Sequence, residues 1–396
     1  MRITNIKLEK FKHIPYGRQN ITEEDIEAVI KVLRSDFLTQ GPVVPVFEQR
    51  LCDYTGAKYA IAVNSCTSAL HVACLALGLG LGDILWTSPI TFVASANCAL
   101  YCGAIVDFVD IEPDTALMSV EKLKQKLELA EKEGKLPKIV IPVHFSGQPC
   151  DMKEIYDLGQ QYGFKIIEDA AHAIGAKYQN GIVGNCQYSD ITVFSFHPVK
   201  IITTGEGGVA MTNSPLYAEK MDLLRSHGIT RDTAKMQKKP DGPWYYEQIK
   251  LGFNYRMTDI QAALGLSQLN RLNQYVSSRS KIAEWYDKQF NNGIISPLVK
   301  KSDRNSAYHL YVIRVRDDKE RNSLYNNLRE SGVGVNIHYI PLYKQVYYNN
   351  SGVLKEAEAY YQRAISLPIF PNITTSELNI VMGNILNYFD LNVLTE

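Results

Sequence analysis

The stretch Ser195-Phe196-His197-Pro198-Val199-Lys200-Ile201-Ile202-Thr203-Thr204-Gly205-Glu206-Gly207-Gly208 sets one lysine just past an apolar run, among hydroxyls and glycines. A lysine at the mouth of an apolar pocket loses solvation of its ammonium form, which lowers its pKa and frees the amine to attack an aldehyde. That is Schiff-base chemistry. Taken alone, Lys200 reads more readily as an ordinary solvated lysine after a strand. Its neighbours in the sequence change this. Phe164-Lys165-Ile166-Ile167-Glu168-Asp169-Ala170-Ala171-His172 carries an apolar run straight into a carboxylate. Asp169 at such a strand end could hold the proton of a pyridine nitrogen, keeping the ring an electron acceptor; it could also cap a helix. His172 fits against a cofactor ring or its phenolic oxygen, or as a packed core histidine. Asn64-Ser65-Cys66-Thr67-Ser68-Ala69-Leu70 follows a strand and opens a helix. Unpaired N–H groups and hydroxyls converge there on an anion cradle, although simple capping needs the same residues. Thr91-Phe92 follows a strand end at Pro89, which offers an aromatic face for stacking on a ring, although an aromatic at a helix start is more often plain core.

The elements that must position these groups read as an open α/β fold. Strand candidates are Lys58 to Val63, Ala104 to Ile111, Lys138 to Phe145, Phe164 to Glu168 and Ile191 to Phe196. Between them Thr67 to Leu77, Phe92 to Cys102, Val120 to Glu131 and Met152 to Tyr162 have helical apolar spacing, several ending at glycine. Alternation of this kind predicts a mostly parallel sheet covered by helices. Thr22 and Asp25 predict a capping box. The polar tract Arg231 to Tyr246 predicts a surface loop bordering the cleft. Met257 to Tyr286 reads as one long helix, and from about Asn291 the pattern turns to irregular strand and helix. At 396 residues the chain exceeds the roughly 250 to 300 at which single cores stop growing. A large domain over 16–270 and a smaller α+β domain over 271–396 follow.

The 42 basic and 42 acidic residues cancel without long blocks, which argues against nucleic acid or acidic lipid as a partner. Seven cysteines (Cys52, Cys66, Cys74, Cys98, Cys102, Cys150, Cys186) contain no C-x-x-C pair and no zinc spacing. Free thiols, no metal and a reducing cytoplasm are expected. Met1 to Tyr16 lacks a signal-peptide core, so the mature protein is expected to start where the sequence does. The apolar stretch Ala94 to Val106 is shorter than the ~20 residues of a membrane span and predicts a buried helix running into a strand. No P-loop or dinucleotide fingerprint competes with the cradle.

Together these motifs resemble the DegT/DnrJ/StrS sugar aminotransferases, of the fold-type I architecture shared with aspartate aminotransferase. The resemblance runs through L-T-Q-G (Leu38 to Gly41), N-S-C-T-S-A-L, S-P-I-T-F-V-A-S-A-N, I-E-D-A-A-H-A-I-G, S-F-H-P-V-K with T-T-G-E-G-G, R-S-H-G (Arg225 to Gly228), N-Y-R-M-T-D-I-Q-A-A-L-G (Asn254 to Gly265) and H-Y-I-P-L-Y (His338 to Tyr343). It implies a pyridoxal 5'-phosphate enzyme in which Lys200 is the Schiff-base lysine, Asp169 the pyridine partner and Phe92 the stacking residue. Cys66, Thr67 and Ser195 match phosphate-side contacts. The resemblance implies a homodimer with shared active sites, because Asn254 matches a residue that reaches the other subunit's phosphate. Arg256, also offered in trans, and Tyr16, Thr39, His338 and Tyr343 match positions near a nucleotide sugar; as structural residues they would be a helix anchor and a turn. Within the family the motifs are most similar to the branch that aminates UDP-linked 4-keto-6-deoxy-N-acetyl sugars in pseudaminic acid synthesis, with L-glutamate as donor. GDP- or dTDP-linked keto sugars are the alternative substrates, and a non-catalytic PLP-binding homologue the alternative role. Sugar 3-dehydratases on the same fold have histidine in place of the lysine, and Lys200 argues against that chemistry.

Overall fold

The computed structural model describes residues 13–290, 295–348 and 352–393. The segment 1–12, most of the stretch expected to lack a leader, and the expected boundary near Asn291 lie outside the described residues. Seven strands form the central sheet: β1 Tyr59–Val63, β2 Ile84–Thr87, β3 Ile105–Phe108, β4 Ile139–Ile141, β5 Lys165–Asp169, β6 Ile191–Ser195 and β7 Gly208–Thr212. Their spatial order is β1-β7-β6-β5-β4-β2-β3, with β7 antiparallel to both neighbours and every other pairing parallel. Strands β4, β6 and β7 are buried along their whole length, as expected of a sheet with helices on both faces.

The expected α/β architecture is present, with two corrections. Gly208–Thr212 is a strand that the reading of the glycine tract did not contain; its five residues start on glycine and include alanine and methionine, which carry little strand signal. The single helix expected over Met257 to Tyr286 is two helices, Asp259–Leu269 and Leu272–Gln289. The break falls at Arg271, whose guanidinium is drawn to the fully buried Asp25 at 2.5 Å, while its Nε donates to the Tyr275 hydroxyl. Asp25 in turn accepts from the Thr22 N–H and from Gln268 Nε2, so the helix Glu23–Leu33 is fastened at its first turn to the helix pair.

Ala94–Tyr101 is a helix and leads into β3, as expected of the apolar stretch around it. A second sheet of three antiparallel strands, Ser296–Pro297, Tyr311–Arg314 and Ala364–Leu367, has its own core with Tyr286, Ile313, Leu324, Ile365 and Val381. It is stitched to the large sheet's periphery where Arg304–Asn305 pairs with Lys177–Tyr178. Buried Arg279 reinforces that junction, donating to the carbonyls of Tyr308, His309 and Ile369. No helix among the described residues is long and apolar enough to cross a membrane.

Candidate active site

A cavity of about 1050 Å³ opens at the carboxyl ends of β1, β5 and β6, where open parallel sheets present their ligands. One end is built by loops that leave these strands. β6 and β7 are antiparallel neighbours, and the loop between them is tied at its base: the Phe196 N–H donates to the Gly207 carbonyl and the Thr204 N–H to the Phe196 carbonyl. Thr203 Oγ1 also donates to the Phe196 carbonyl, and the Lys200 N–H closes a turn onto the His197 carbonyl. Lys200 therefore sits on a braced loop, and its side chain lines the cavity. Desolvation lowers its amine from 10.5 to about 8, with the neighbouring Cys66 and Asp169 pulling back the other way.

Asp169 ends β5 and is 5% exposed. Ser95 Oγ donates to its Oδ2 at 2.6 Å, and the Ala171 N–H donates to its Oδ1 at 3.1 Å. Thr91 Oγ1 lies 2.7 Å from Ser95 Oγ and extends the chain. The residues after Asp169 form turns, so Asp169 caps no helix. Its carboxylate is held rigidly while still facing the cavity.

The helix Cys66–Ala76 starts at the cavity wall. Ser65 caps it by accepting from the Ser68 N–H, which leaves the Cys66 and Thr67 N–H groups with no intrahelical acceptor. Ser65 and Ser68 hydroxyls and the Asn64 side chain form a linked set beside them. Burial, reinforced by Asp169, pushes the Cys66 thiol far up, so it is neutral and does not repel an anion. The strand β7 passes this turn closely. A Cβ on Gly208 would stand 2.5 Å from the Cys66 nitrogen and 2.6 Å from the Ser65 carbonyl oxygen, so a glycine is required there.

The other end of the cavity is aromatic. Tyr16, Phe92, His172, His338 and Tyr339 line it. The Tyr339 ring stacks near-parallel to His172, with its hydroxyl 3.4 Å from His172 Nε2. His172 also packs on His309, ring centres 4.3 Å apart, and its Nδ1 is buried without a partner. Burial, then the charge of Lys200, holds His172 well below the usual histidine range and His338 down to about 3. Both rings are neutral. His338 is satisfied within the chain: Asn336 Nδ2 donates to its Nε2 and its Nδ1 faces Ser366 Oγ at 2.8 Å. That pairing turns the ring into a support against Tyr16 rather than a free hydrogen-bonding group.

Of the residues singled out from sequence, Tyr16, Cys66, Thr67, Phe92, Asp169, His172, Ser195, Lys200 and His338 line this one cavity. Thr39, Asn254, Arg256 and Tyr343 are not among its lining residues. Thr39 is exposed and bridges to Thr258. Tyr343 points into the protein, its hydroxyl donating to Glu358 and its ring against Phe108. Asn254 is exposed beside the cradle, its carbonyl accepting from Asn64 Nδ2, and Arg256 bridges to Val63 with its Nε unpartnered. The polar tract Arg231 to Tyr246 is a loop between Ile229–Thr230 and Glu247–Gln248, but none of it lines the cavity of its own chain. Sequence reasoning gave no role to Ser95, Glu206, Tyr339 or Gln345, which do line it. For Ser95 a signal existed: Thr91 and Ser95 are one helical turn apart after a strand end.

The chain's likenesses agree with this geometry. The model of the DegT/DnrJ/EryC1/StrS aminotransferase family matches residues 19–386. A Campylobacter jejuni protein named UDP-4-amino-4,6-dideoxy-N-acetyl-beta-L-altrosamine transaminase is 36% identical over 383 residues, covering 95% of this chain and 98% of its own length. The structure of Helicobacter pylori PseC, an aminotransferase involved in the biosynthesis of pseudoaminic acid, is similar with a TM-score of 0.86 and 32% identity over 96% of this chain and all of its own. The PLP-form of Streptococcus pneumoniae Spr1654 is similar with a TM-score of 0.84 and 30% identity over 94% of this chain and 98% of its own.

Proposed function

This chain belongs to the DegT/DnrJ/EryC1/StrS aminotransferase family, and from that premise we propose that it transfers an amino group from L-glutamate to the 4-keto group of a UDP-linked 4-keto-6-deoxy-N-acetyl sugar in pseudaminic acid synthesis. The names of the Campylobacter and Helicobacter relatives support the sugar and the pathway. We further propose a cytoplasmic homodimer, a cofactor domain over 16–270 and a smaller domain over 271–396, with Asn254 and Arg256 serving the partner's cavity. Their exposed or unpartnered polar atoms beside the cradle favour that use.

The residues fit pyridoxal 5'-phosphate. The free N–H groups at the start of Cys66–Ala76, the Ser65 and Thr67 hydroxyls and Ser195 suit a phosphate. Asp169, fixed by Ser95 and Ala171, suits a protonated ring nitrogen, and the unpartnered His172 faces the same space. The exposed Phe92 ring suits stacking on the cofactor face. When bound, the cofactor supplies a carbonyl for the amine and a ring that accepts the electron pair left by C–H cleavage.

The rest of the chemistry belongs to the chain. Lys200 Nζ would hold the cofactor, and as a free amine of lowered pKa it would serve as a base of matched strength. That amine would take the proton from the glutamate Cα in one half-reaction and deliver one to the sugar's C4 in the other. Asp169, its carboxylate fixed by Ser95 and the Ala171 N–H, would face the ring nitrogen. Neutral His172 and His338 add no positive charge that would raise the cost of a protonated Lys200. Tyr16 and Tyr339 supply flat apolar faces for the sugar ring.

The single observation that carries this reading is that Lys200, Asp169 and a free helix N-terminus share one cavity. The test is a panel of UDP-, GDP- and dTDP-linked keto sugars, each supplied with glutamate while 2-oxoglutarate release is measured. Turnover with the UDP-linked 4-keto N-acetyl sugar is expected. Turnover with dTDP sugars alone overturns the substrate, and absence of any yellow, borohydride-sensitive species overturns the catalytic role.

A further inference from the structure

Glu358 and Tyr360 lie on the helix Lys355–Arg363, and neither lines the cavity. Both grip a segment that does. The buried Tyr360 hydroxyl donates to the His338 carbonyl at 2.7 Å. Five residues on, the Tyr343 hydroxyl donates to Glu358 Oε1 at 3.0 Å, and Lys344 Nζ lies 2.6 Å from Glu358 Oε2. Tyr339 and Ile340, which line the cavity, stand between these two grips. The Tyr360 ring also meets Phe145 edge-on at 5.9 Å, and Phe145 meets Tyr339 edge-on at 6.2 Å, so the aromatic wall is backed from behind. Burial raises the Tyr360 phenol well above its ordinary range, which keeps its O–H as a donor.

The gripping helix is itself fastened to the large sheet. Asp110, two residues past the end of β3, is buried and accepts from the N–H groups of Glu356 and Ala357, both at 3.0 Å. These are first-turn donors that a helix leaves without an internal acceptor, and a carboxylate there is also favoured by the helix dipole. Two main-chain ties complete the frame: the Leu342 N–H donates to the Pro89 carbonyl at 3.0 Å, and the Ser366 N–H to the Asn336 carbonyl at 2.8 Å.

We propose that Tyr360 and Glu358 are positioning residues that set the affinity for the keto sugar by holding the 336–345 wall in place, without touching either substrate. The proposal rests on the assignment of the aromatic end to the sugar. A ring recognises a flat substrate at little cost only while it is already held; a wall free to relax must be ordered again at each binding, and that ordering is lost from the affinity. The Lys200 end is braced by other contacts, the turn at His197 and the Ser95 and Ala171 bonds to Asp169, and does not depend on this helix. Tyr343, whose ring and hydroxyl turn away from the cavity, thereby acts on the site through Glu358.

The test compares variants of the cofactor-loaded enzyme. Tyr360→Phe keeps the ring and its packing and removes only the bond to the His338 carbonyl; Glu358→Gln keeps an acceptor for Tyr343 and removes the charge paired with Lys344. KM for the UDP-linked 4-keto-6-deoxy-N-acetyl sugar should rise roughly three- to ten-fold in Tyr360→Phe, as the loss of one buried hydrogen bond allows. The rise should be smaller in Glu358→Gln, whose ion pair is partly exposed. In both, kcat at saturating sugar and the single-turnover reaction with glutamate should keep their wild-type values. Hydrogen–deuterium exchange, read without any sugar, should quicken at 336–345 in Tyr360→Phe but not in β5 or β6. Gln362→Ala, at an exposed position on the same helix, should change none of these. A Tyr360→Phe enzyme with the wild-type sugar KM, or one whose reaction with glutamate slows in step with the sugar half, overturns the proposal. A wild type that converts no UDP-linked sugar overturns the substrate reading instead. KM is then compared on the panel sugar that is converted, and unchanged exchange at 336–345 in Tyr360→Phe still overturns the grip.

Discussion

The two ends of the cavity are constructed differently. At the Lys200 end several polar groups are braced by their neighbours in sequence: the Asp169 carboxylate by the Ala171 N–H, Ser65 by Ser68 and the Lys200 backbone by His197, with Ser95 a distant partner of the Asp169 carboxylate. At the aromatic end, Tyr16, Phe92, His172 and Tyr339 come from four remote parts of the chain and meet as rings. The first arrangement suits chemistry common to both half-reactions, since charge must be held at fixed points. The second suits recognition of one substrate, where shape and stacking decide. The difference teaches that a single cavity can conserve its reaction while its substrate is set by another wall.

Variants at the first end should therefore damage both half-reactions, and variants of Tyr16 and Tyr339 at the second mainly the sugar half. The largest effect is expected from Lys200→Ala. It removes the covalent anchor and the proton carrier together, so the rate of either half-reaction should fall by more than the ~10²–10⁴-fold that positioned proton transfer contributes, and the borohydride-sensitive colour should vanish. Stopped-flow spectra of each half-reaction check this. Next comes Asp169→Asn, which keeps shape and removes the charge; a loss on the order of 10²-fold in both halves is expected. If only the sugar half slows, the proposed division of the cavity fails.

Tyr339→Ala sharpens the comparison from the other side. It removes the stacked partner of His172 and opens the aromatic wall, so KM for the sugar should rise roughly ten-fold or more, by about 1–3 kcal/mol for a lost aromatic contact. Single-turnover reduction by glutamate should change little. Gly208→Ala is expected to leave the sugar wall intact but force the cradle to shift, because its Cβ meets the Cys66 nitrogen at 2.5 Å. A cost of about 1–3 kcal/mol, seen as weaker cofactor binding in a titration of the cofactor-free protein, fits overpacking.

The last effect is a pH dependence, which bears on the stability of the cofactor-free protein and on neither half-reaction. In the cofactor-free protein Lys200 titrates at about 8 rather than 10.5, so between those values the unfolded chain holds more protons than the folded one. Stability should rise with pH across that window, the penalty being fully present below it. Urea melts of the wild type and Lys200→Met on either side of the window should show the rise only in the wild type.

The site was legible in proportion to how local it is. Lys200, Asp169 and the Ser65–Thr67 turn each announce themselves by a strand that ends on a polar or small residue, and β5 and β6 were expected within a residue of their ends. β7 was not, because it begins on Gly208, where a glycine is needed for the space it leaves, and space is not written in propensity. Thr39 and Tyr343 stand apart from that pattern. Both sit in the motifs that carry the resemblance, yet one is outside the lining of its own chain's cavity and the other turns its hydroxyl to Glu358. Motif spacing says that a residue is near a site but not which way its side chain points. The break at Arg271 was equally invisible, since helical periodicity continues through it and only the approach of Asp25, some 240 residues away in sequence, explains it.

Sequence by itself determined the layered α/β arrangement and the placing of Lys200, Asp169 and the helix start of the proposed site, because each depends on apolar periodicity and on the turn that follows a strand. Tertiary structure alone decided the antiparallel insertion of β7 and the neutral state of the three histidines around Lys200. Those depend on which groups lose water together. Desolvation is a property of the assembled interior, and no stretch of chain carries it alone.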